Sequence, residues 1–333
     1  MSYPVTLING DGIGPEVTQA ARRVVDATGV EIAWDEREAG GELIGRHGTP
    51  LPQETVDAIM RARVALKGPI TTPIGSGFRS VNVALRKTLD LFANYRPARS
   101  LPGVPSRYED VDVIVVRENT EGLYSGLEHI VIPGVVESLR VITERGSERI
   151  LRFAFETARK LGRRKVTAVH KANILKLSDG LFLEVARRIA RGFPDIEFEE
   201  AIVDATAMRL VLEPNQFDVL VMENLFGDIV SDLTSGLVGG LGMAPSANLG
   251  LDFAVFEAVH GSAPDIAGRG LANPTALILS AALMLDHLDE QAAGNRVRAA
   301  IETVYRDGKD LTGDVGGKAT TDQFTDAVIA RLD

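Results

Sequence analysis

Two arginines between residues 80 and 96 lie among apolar residues that are typical of a protein core. A buried guanidinium needs an anion as its partner, because an unpaired charge is costly to remove from water. Arg86 and Arg96 are accompanied by Ser80 and Asn82, which add hydrogen-bonding groups. Since the planar fork of arginine matches a carboxylate, this stretch predicts a pocket for a small polycarboxylate. The alternative is that each arginine pairs with a structural Asp or Glu.

A second set of residues has the composition of a site for a hard metal ion. Asp228 and Asp232 are four residues apart and would share one face of a helix, where their like charges repel. Asp204 follows another apolar run and could supply a third carboxylate. Oxygen ligands suit Mg²⁺ or Mn²⁺, and thiolate ligands are excluded because the chain has no cysteine. The alternative is that these acids cap helices or pair with arginines.

The elements that must position these residues alternate between strands and helices. Short apolar runs predict strands, and stretches with a period near 3.6 predict helices between them, as in residues 15–25 and 52–63. The strand-like runs are residues 5–8, 30–34, 64–66, 111–116, 166–169 and 217–222. This alternation indicates an α/β fold with a largely parallel sheet, in which ligands bind beyond the carboxyl ends of the strands. Arg117, His170, Lys171 and Asn224 all come directly after such runs.

The composition of the chain limits the class of protein and suggests where its domain boundaries lie. The 333 residues are 45% hydrophobic and carry a net charge of −10, which argues against nucleic-acid binding. Breaks rich in Pro and Gly predict one domain from residues 1–98 plus 250–333 and another from residues 99–249. The first residues lack a secretory signal pattern, and the apolar run at 276–285 is too short to span a bilayer. We therefore expect no membrane contact and a cytoplasmic protein, or the mature form of an organelle protein.

Glycines at positions 10, 12 and 14 follow the first strand and precede a helix, as in a dinucleotide-binding turn. That motif needs a third Gly or Ala three residues after the second, and Pro15 occupies this position. There is also no acidic residue at the appropriate distance after a plausible second strand. The segment therefore predicts a tight strand-to-helix turn rather than a Rossmann site.

Six motifs in order resemble one family, the β-decarboxylating dehydrogenases of the isocitrate and isopropylmalate type. They are Gly-Asp-Gly-Ile-Gly-Pro-Glu (10–16), Leu-Arg-Lys-Thr-Leu-Asp-Leu-Phe-Ala-Asn-Tyr-Arg-Pro (85–97), Arg-Glu-Asn-Thr-Glu-Gly-Leu-Tyr (117–124), His-Lys-Ala-Asn (170–173), the stretch 224–232, and His-Gly-Ser-Ala-Pro-Asp-Ile-Ala-Gly (260–268). The resemblance covers essentially the whole chain. It implies a two-domain, non-Rossmann α/β fold with the active site in the cleft between domains. It also implies a homodimer, or a higher oligomer, in which Lys171 and Asp204 serve the partner's site.

Within this family the chain is most similar to the NAD-dependent isocitrate enzymes. The resemblance implies oxidative decarboxylation of isocitrate to 2-oxoglutarate and CO₂, with NAD⁺ and Mg²⁺ or Mn²⁺. Arg86, Arg96 and Arg117 would hold carboxylates of this tricarboxylate, and Ser80 and Asn82 its distal carboxylate. By the same likeness, Lys171 accepts the C2 hydroxyl proton, Tyr124 protonates the enolate carbon, and Asp204, Asp228 and Asp232 bind the metal.

The cofactor residues implied by the resemblance are Thr72, Asn173, His260, Gly261, Asp265, Ile266 and Asn273. Asp265 would accept hydrogen bonds from the adenosine ribose hydroxyls and would repel the 2′-phosphate of NADP. Homoisocitrate is one alternative substrate, since one methylene changes discrimination by only about 1–3 kcal/mol. Isopropylmalate is another, although Ser80 and Asn82 would be left unpaired beside its alkyl group. An alternative of a different class is a non-catalytic regulatory subunit, which the presence of all the catalytic residues disfavours.

Overall fold

The computed structural model describes residues 2–72 and 80–332; of the predicted domains, residues 1, 73–79 and 333 lie outside the described residues. The strands are β1 Tyr3–Ile8, β2 Ile32–Arg37, β3 Val64–Lys67, β4 Ala93–Arg99, β5 Asp112–Glu118, β6 Gly122–Ile132, β7 Val135–Val141, β8 Lys165–His170, β9 Glu197–Ile202, β10 Val219–Met222, β11 Pro245–Leu249 and β12 Ala254–Ala258. The helices are α1 Gly14–Ala27, α2 Ile44–His47, α3 Gln53–Ala62, α4 Val81–Thr88, α5 Glu144–Lys160, α6 Ser178–Ala190, α7 Val203–Leu212, α8 Asn224–Leu237, α9 Thr275–His287, α10 Gln291–Asp307 and α11 Thr321–Ile329.

Ten strands form one continuous sheet in the order β2-β1-β3-β12-β11-β4-β5-β10-β8-β9. Its outer parts are parallel, as the alternation of strands and helices predicted. The centre differs, because β11 runs antiparallel to both β12 and β4, and β4 runs antiparallel to β5. The antiparallel centre places residues from distant parts of the sequence side by side beneath the candidate site.

The predicted strands form because their apolar runs are buried on both faces by helices, as in other parallel sheets. In β5, Val113 to Val116 are fully buried. Helix α1 begins with Pro15 in its first turn and buries Val17, Ala21 and Val24 along one stripe. This spacing of three and four residues explains why the helix packs on the sheet through one face.

The apolar clusters fall into two groups along the chain. Two clusters draw only on residues 5–104 and 243–332, and two others only on residues 92–238. The sheet passes through both groups, with β4 and β11 at the junction. Each group therefore has a hydrophobic core of its own on a shared sheet.

Strands β6 and β7 form a separate two-stranded sheet whose apolar side chains face outwards. Ile130 is 72% exposed and Val136 is 63% exposed. Leu212 of α7 and Ile229 of α8 are also largely exposed. Within residues 2–72 and 80–332, no helix is long and apolar enough to cross a membrane.

The glycine-rich segment after β1 forms the predicted tight turn. Gly10 and Gly12 both have positive φ angles, of 76° and 60°. A Cβ atom on Gly10 would lie 2.2 Å from the carbonyl oxygen of Pro69. Glycine is required there because the turn packs directly on the backbone that follows β3.

Candidate active site

A cavity of about 240 Å³ brings together most of the residues predicted to bind substrate. The predicted site residues that line it are Ser80, Asn82, Arg86, Arg96, Arg117, Tyr124, Asp228, His260 and Gly261. Glu257 also lines the cavity and was not predicted. The structure thus collects side chains from α4, β4, β5, β6, α8 and β12 at one place.

The arginines reach the cavity from three neighbouring elements. Arg86 lies in the last turn of α4, and the hydroxyl of Ser80 caps the start of that helix by accepting from Val83 N–H at 3.5 Å. Arg96 and Arg117 lie in the antiparallel pair β4 and β5. Arg117 is therefore inside a strand, not after it as the sequence indicated. The register places both arginines on one face of the sheet, because Asn94 is opposite Arg117 and Arg96 is two residues further on.

Each arginine has an acidic neighbour, as the structural alternative required. Arg117 bonds to Asp228, Arg96 lies 3.2 Å from Asp232, and Arg86 lies 3.5 Å from Glu257. Asn224 also accepts from Arg117 Nε at 2.9 Å, and Ser231 from Arg96 Nη1 at 2.7 Å.

The pairing is nevertheless incomplete. Among the described residues, Arg86 Nε, Arg96 Nε, Arg117 Nη2 and Asn82 Oδ1 are buried without a hydrogen-bond partner. Buried polar atoms are normally paired, so this cluster of unpaired atoms around one cavity points to a ligand. Burial, with Arg86 and Arg96 close by, lowers the pKa of Arg117 to about 10. That value still leaves the guanidinium charged at neutral pH.

Glu257 and Lys67 form a buried ion pair behind Arg86 that the sequence analysis missed. Lys67 Nζ lies 2.6 Å from a Glu257 oxygen, and the Lys67 side chain is only 1% exposed. The Asn248 side chain donates a further hydrogen bond to Glu257 at 2.8 Å. Although burial opposes it, the adjacent Lys67 and Arg86 lower the pKa of Glu257 to about 2. The signal in the sequence was a charged residue inside each of two apolar strands, β3 and β12.

Asp228 and Asp232 lie on one face of α8, so the predicted helical spacing is confirmed. Although burial opposes it, Arg117 lowers the pKa of Asp228, whereas burial and the nearby Asp228 raise the pKa of Asp232. The hydroxyl of Tyr124 donates to Asp228, and burial together with this bond raises the Tyr124 pKa. Asp228 therefore lines the cavity with the arginines and with the predicted proton donor, whereas Asp232 does not line it and pairs with Arg96.

Helix α8 comes close to Arg117 because it carries a glycine at the contact. A Cβ atom on Gly227 would lie 2.5 Å from Arg117 Cγ. Real Cβ atoms do not approach another carbon so closely, so any side chain at this position would displace the arginine stem or the helix. The bond from Arg117 to Asn224 depends on this close approach.

Lys171 and Asp204 do not line the cavity. Lys171 follows β8, Asp204 lies in the first turn of α7, and the two side chains form an ion pair. In the described part of one chain, no three His, Asp or Glu side chains form a group that could hold a metal ion. Within a single chain, therefore, Asp204 does not join Asp228 and Asp232.

The residues predicted to bind cofactor lie partly at the cavity and partly outside it. His260 and Gly261 line it; burial lowers the pKa of His260, and its Nε2 atom has no partner among the described residues. Thr72 is exposed and its hydroxyl lies 3.3 Å from that of Ser80. Asn173 is exposed in the turn after β8 and away from this group.

The remaining three cofactor predictions lie in and after the loop that follows β12. Asp265 is exposed, and Ile266 packs partly against the core. Asn273 is buried, and its amide donates to Asp314 at 3.0 Å and to Tyr305 at 3.1 Å. The side-chain donors of Asn273 are therefore already used within the protein, and Asp265 is the polar side chain of this group that is open to a ligand.

Comparison with known proteins identifies the family of the chain. The family model for isocitrate/isopropylmalate dehydrogenase matches residues 4–328. The chain belongs to the isocitrate/isopropylmalate dehydrogenase family. The family and the α/β fold expected from the sequence are thereby confirmed.

Three individual members of the isocitrate/isopropylmalate dehydrogenase family illustrate the likeness. The NAD isocitrate dehydrogenase catalytic subunit 5 of Arabidopsis thaliana mitochondria is 52% identical over 98% of this chain and 88% of its own length. The probable NAD isocitrate dehydrogenase subunit alpha of Drosophila melanogaster mitochondria is 50% identical over 98% of this chain and 87% of its own. The crystal structure of isocitrate dehydrogenase from Methylococcus capsulatus is 52% identical over 99% of both chains, with a TM-score of 0.96.

These relatives correct one expectation. The cytoplasmic location expected from the sequence is wrong by this comparison, since both eukaryotic relatives of the family are named as mitochondrial. They are also named as subunits, which bears on the predicted homodimer because a subunit can assemble with a different chain.

Proposed function

We propose that the protein catalyses the oxidative decarboxylation of isocitrate to 2-oxoglutarate and CO₂ with reduction of NAD⁺. The observation that carries this proposal is the cavity with three arginines, each with an unpartnered nitrogen, beside Ser80 and Asn82. Arginine forks suit carboxylates, and the additional polar pair suits a third carboxylate better than an alkyl group.

The charges around the cavity support a tricarboxylate accompanied by a divalent cation. Four cationic side chains, Lys67 and the three arginines, face the three carboxylates of Asp228, Asp232 and Glu257. One positive charge therefore remains in excess. A divalent cation together with a tricarboxylate would bring the total to zero, which is favourable in a partly buried site.

The donor set fits a hard divalent cation. Asp228 and Asp232 offer only oxygen atoms, and burial together with the nearby Asp228 raises the pKa of Asp232, which a bound cation would oppose. We propose these two residues, with Asp204 of a second subunit, as ligands of Mg²⁺ or Mn²⁺. Such an ion acts as a Lewis acid that stabilises negative charge on the substrate oxygen during loss of CO₂.

The protein's own groups then orient the substrate and move two protons. Arg86, Arg96 and Arg117 hold the carboxylates, and Lys171 of a second subunit accepts the C2 hydroxyl proton as the hydride leaves for NAD⁺. Tyr124 points into the cavity and donates its phenolic proton to the enolate carbon after decarboxylation. Its raised pKa keeps the phenol protonated at neutral pH and therefore able to donate.

NAD⁺ binding is proposed for the loop after β12, next to the cavity. His260 and Gly261 line the cavity, and the exposed Asp265 follows in the same loop. A carboxylate accepts hydrogen bonds from two ribose hydroxyls but repels a phosphate, which favours NAD⁺ over NADP⁺. We propose further contacts with NAD⁺ for Thr72, which lies beside Ser80, for Ile266, and for Asn273 by atoms other than its side-chain amide donors, and a nicotinamide-side role for Asn173.

A homodimer with shared active sites is proposed on two grounds. Lys171 and Asp204 lie outside their own chain's cavity, and the β6–β7 sheet exposes an apolar surface of the kind that marks an interface. The two groups of apolar clusters, drawn from different parts of the chain, also support domains formed by residues 1–98 plus 250–333 and by residues 99–249.

The deciding experiment compares kcat/KM of the purified chain for isocitrate, homoisocitrate and isopropylmalate, with NAD⁺ and Mg²⁺. We expect isocitrate to be the preferred substrate. A preference for homoisocitrate or isopropylmalate would change the proposed substrate but would still support oxidative decarboxylation as the reaction. Absence of turnover by the chain alone, with turnover restored by a second kind of subunit, would favour a regulatory or hetero-oligomeric protein.

A further inference from the structure

One arginine outside the cavity lies beside two acids that hold the segments carrying Lys171 and Asp228. Arg140 lies in β7 and its side chain is 14% exposed. Its Nη1 donates to Asp179 at 2.7 Å, and its Nη2 lies 3.5 Å from a carboxylate oxygen of Glu223. The guanidinium also lies over the ring of Phe226, 5.0 Å from its centroid. Arg140 therefore donates to one buried carboxylate, in α6, and lies beside a second one just before α8, while its Nε and Nη2 have no hydrogen-bond partner among the described residues.

The first of these carboxylates holds the backbone of Lys171. Asp179 lies in the first turn of α6 and is 2% exposed. One of its oxygens accepts from Arg140, and the other accepts from the backbone N–H of Lys171 at 2.5 Å. The carbonyl of Lys171 in turn accepts from the N–H groups of Ile174 and Leu175. Both polar atoms of the Lys171 backbone are thus fixed, and Arg140 fixes the carboxylate that holds one of them.

The second carboxylate caps the helix that carries the proposed metal ligands. Glu223 precedes α8, and its oxygens accept from the N–H groups of Leu225 and Phe226 at 3.2 and 3.1 Å. Helix α8 continues to Asp228 and Asp232. The guanidinium of Arg140 is the cation beside both buried acids, so its loss would leave two carboxylates without compensation.

We propose that Arg140 is a positioning residue, which aims Lys171 through Asp179 and ties that turn to the N-terminus of α8 through Glu223. The inference rests on the proposed function, in which Lys171 is the proton acceptor for a partner's site. In such a dimer, Lys171 serves one active site and Asp228 of the same chain serves the other. Arg140, on β7, then contacts both the acid that holds Lys171 of one site and the acid that caps the helix carrying Asp228 of the other site.

The first test is Arg140→Leu in the full-length protein, with Arg140→Lys as the conservative variant and Arg152→Leu as the control. Arg152 is a half-exposed residue of α5 that pairs with Glu148 on the same helix. We expect Arg140→Leu to lower kcat by about 10- to 100-fold, because a misplaced proton acceptor slows chemistry. KM for isocitrate should stay within about twofold, since the arginines that hold the substrate are unchanged. Arg140→Lys should recover part of the loss, and Arg152→Leu should behave as wild type.

If Arg140→Leu does not fold, Asp179→Asn makes the same test, because it keeps the shape but removes the charge that faces Arg140. A wild-type kcat in a folded Arg140→Leu or Asp179→Asn protein would overturn the inference. Equal losses in kcat and in substrate affinity, with no recovery in Arg140→Lys, would also overturn it, as they would indicate general loss of structure. No isocitrate turnover by the wild-type protein would instead overturn the proposed function, so the two failures are distinguishable.

Mixed dimers, purified by two different tags, identify the route of the effect. One subunit carries Asp228→Asn and the other carries Lys171→Met, so that one intact site remains per dimer. Arg140→Leu is then placed either in the subunit that supplies the working Lys171 or in the subunit that supplies the working Asp228. A loss of kcat in the first arrangement supports positioning of Lys171. A loss confined to the second arrangement overturns it and assigns Arg140 to α8 alone.

Discussion

Lys171 and Asp204 form an ion pair within one chain, and neither side chain lines the cavity that contains the three arginines. The sheet explains the separation. Lys171 follows β8 and Asp204 follows β9, whereas Arg96 and Arg117 lie on β4 and β5, with β10 between the two pairs of strands. The proposed function therefore brings these two sets of residues together from two chains.

Mixing two inactive variants tests the shared site. Lys171→Met and Asp228→Asn should each lower kcat by at least about a hundredfold when alone, because each removes a group that acts on the substrate. After co-expression, random pairing should restore about a quarter of the wild-type activity, since half of the dimers contain one intact site of two. Activity is measured by NADH absorbance on the mixture. No recovery in a mixture that contains mixed dimers would mean that each active site takes Lys171 and Asp228 from the same chain.

Arg117→Lys tests whether the guanidinium fork is needed. Lysine cannot bond to Asn224 and Asp228 and also offer a nitrogen to the substrate, so kcat/KM for isocitrate should fall by about 10- to 100-fold. Arg99→Lys is the matched control, because Arg99 ends β4 and pairs with Glu302 at the surface. Equal kcat/KM values for isocitrate in the two variants would show that the guanidinium of Arg117 is not needed for substrate binding.

The double change Asp265→Lys with Ile266→Tyr tests the choice of nucleotide. We expect KM for NAD⁺ to rise by about tenfold or more, because the charged acceptor for the ribose hydroxyls is lost. KM for isocitrate should not change, and turnover with NADP⁺ should increase. Asp252→Lys, at another exposed position, is the control for the change in net charge. An unaltered KM for NAD⁺ would exclude the proposed ribose contact.

Glu257→Gln tests the buried ion pair behind Arg86. Removing one partner leaves Lys67 charged and buried, so the free energy of unfolding at pH 7 should fall by about 3–5 kcal/mol. Because Lys67 and Arg86 favour ionised Glu257, its stabilisation is complete above the ordinary carboxyl pKa of 4.5 and is lost as the pH falls towards about 2.

The measurement is Tm against pH for the wild type and for Glu257→Gln. The difference in Tm should be constant above pH 4.5 and should shrink below it. The control is Glu302→Gln, which changes a surface acid paired with Arg99. A difference that persists unchanged to pH 3 would contradict the assignment of the stabilisation to ionised Glu257.

Local patterns predicted much of the fold, because they depend on neighbours in the sequence. Apolar runs gave the strands, and the four-residue spacing correctly put Asp228 and Asp232 on one helical face. The sequence could not show that β3 lies beside β12, so the pairing of Lys67 with Glu257 was missed. For the same reason the sequence did not show the contacts of Arg140, because its two acidic neighbours, Asp179 and Glu223, lie far along the chain. The order of the strands in the sheet brings such residues together, and the apolar pattern within one strand does not reveal that order.

The placing of Arg117 shows a related limit. Its apolar neighbours suggested that the strand ended before it, but β5 continues to Glu118 because α8 covers that end of the strand. Asn224 and Asp228 of α8 bind Arg117 there, and Thr120 donates to Glu118. The presence of a covering helix was not visible in the strand's own sequence.

Position 227 is sensitive to substitution although its residue, a glycine, has no functional group. Gly227 contacts no substrate in the proposed reaction, yet a single added methyl group would collide with the stem of Arg117. We therefore expect a substitution at Gly227 to disturb the site through Arg117. A survey of variants that considers only charged and polar positions would overlook Gly227. If an alanine variant folds but is inactive, the cause would be a steric clash with Arg117 and not the loss of a chemical group.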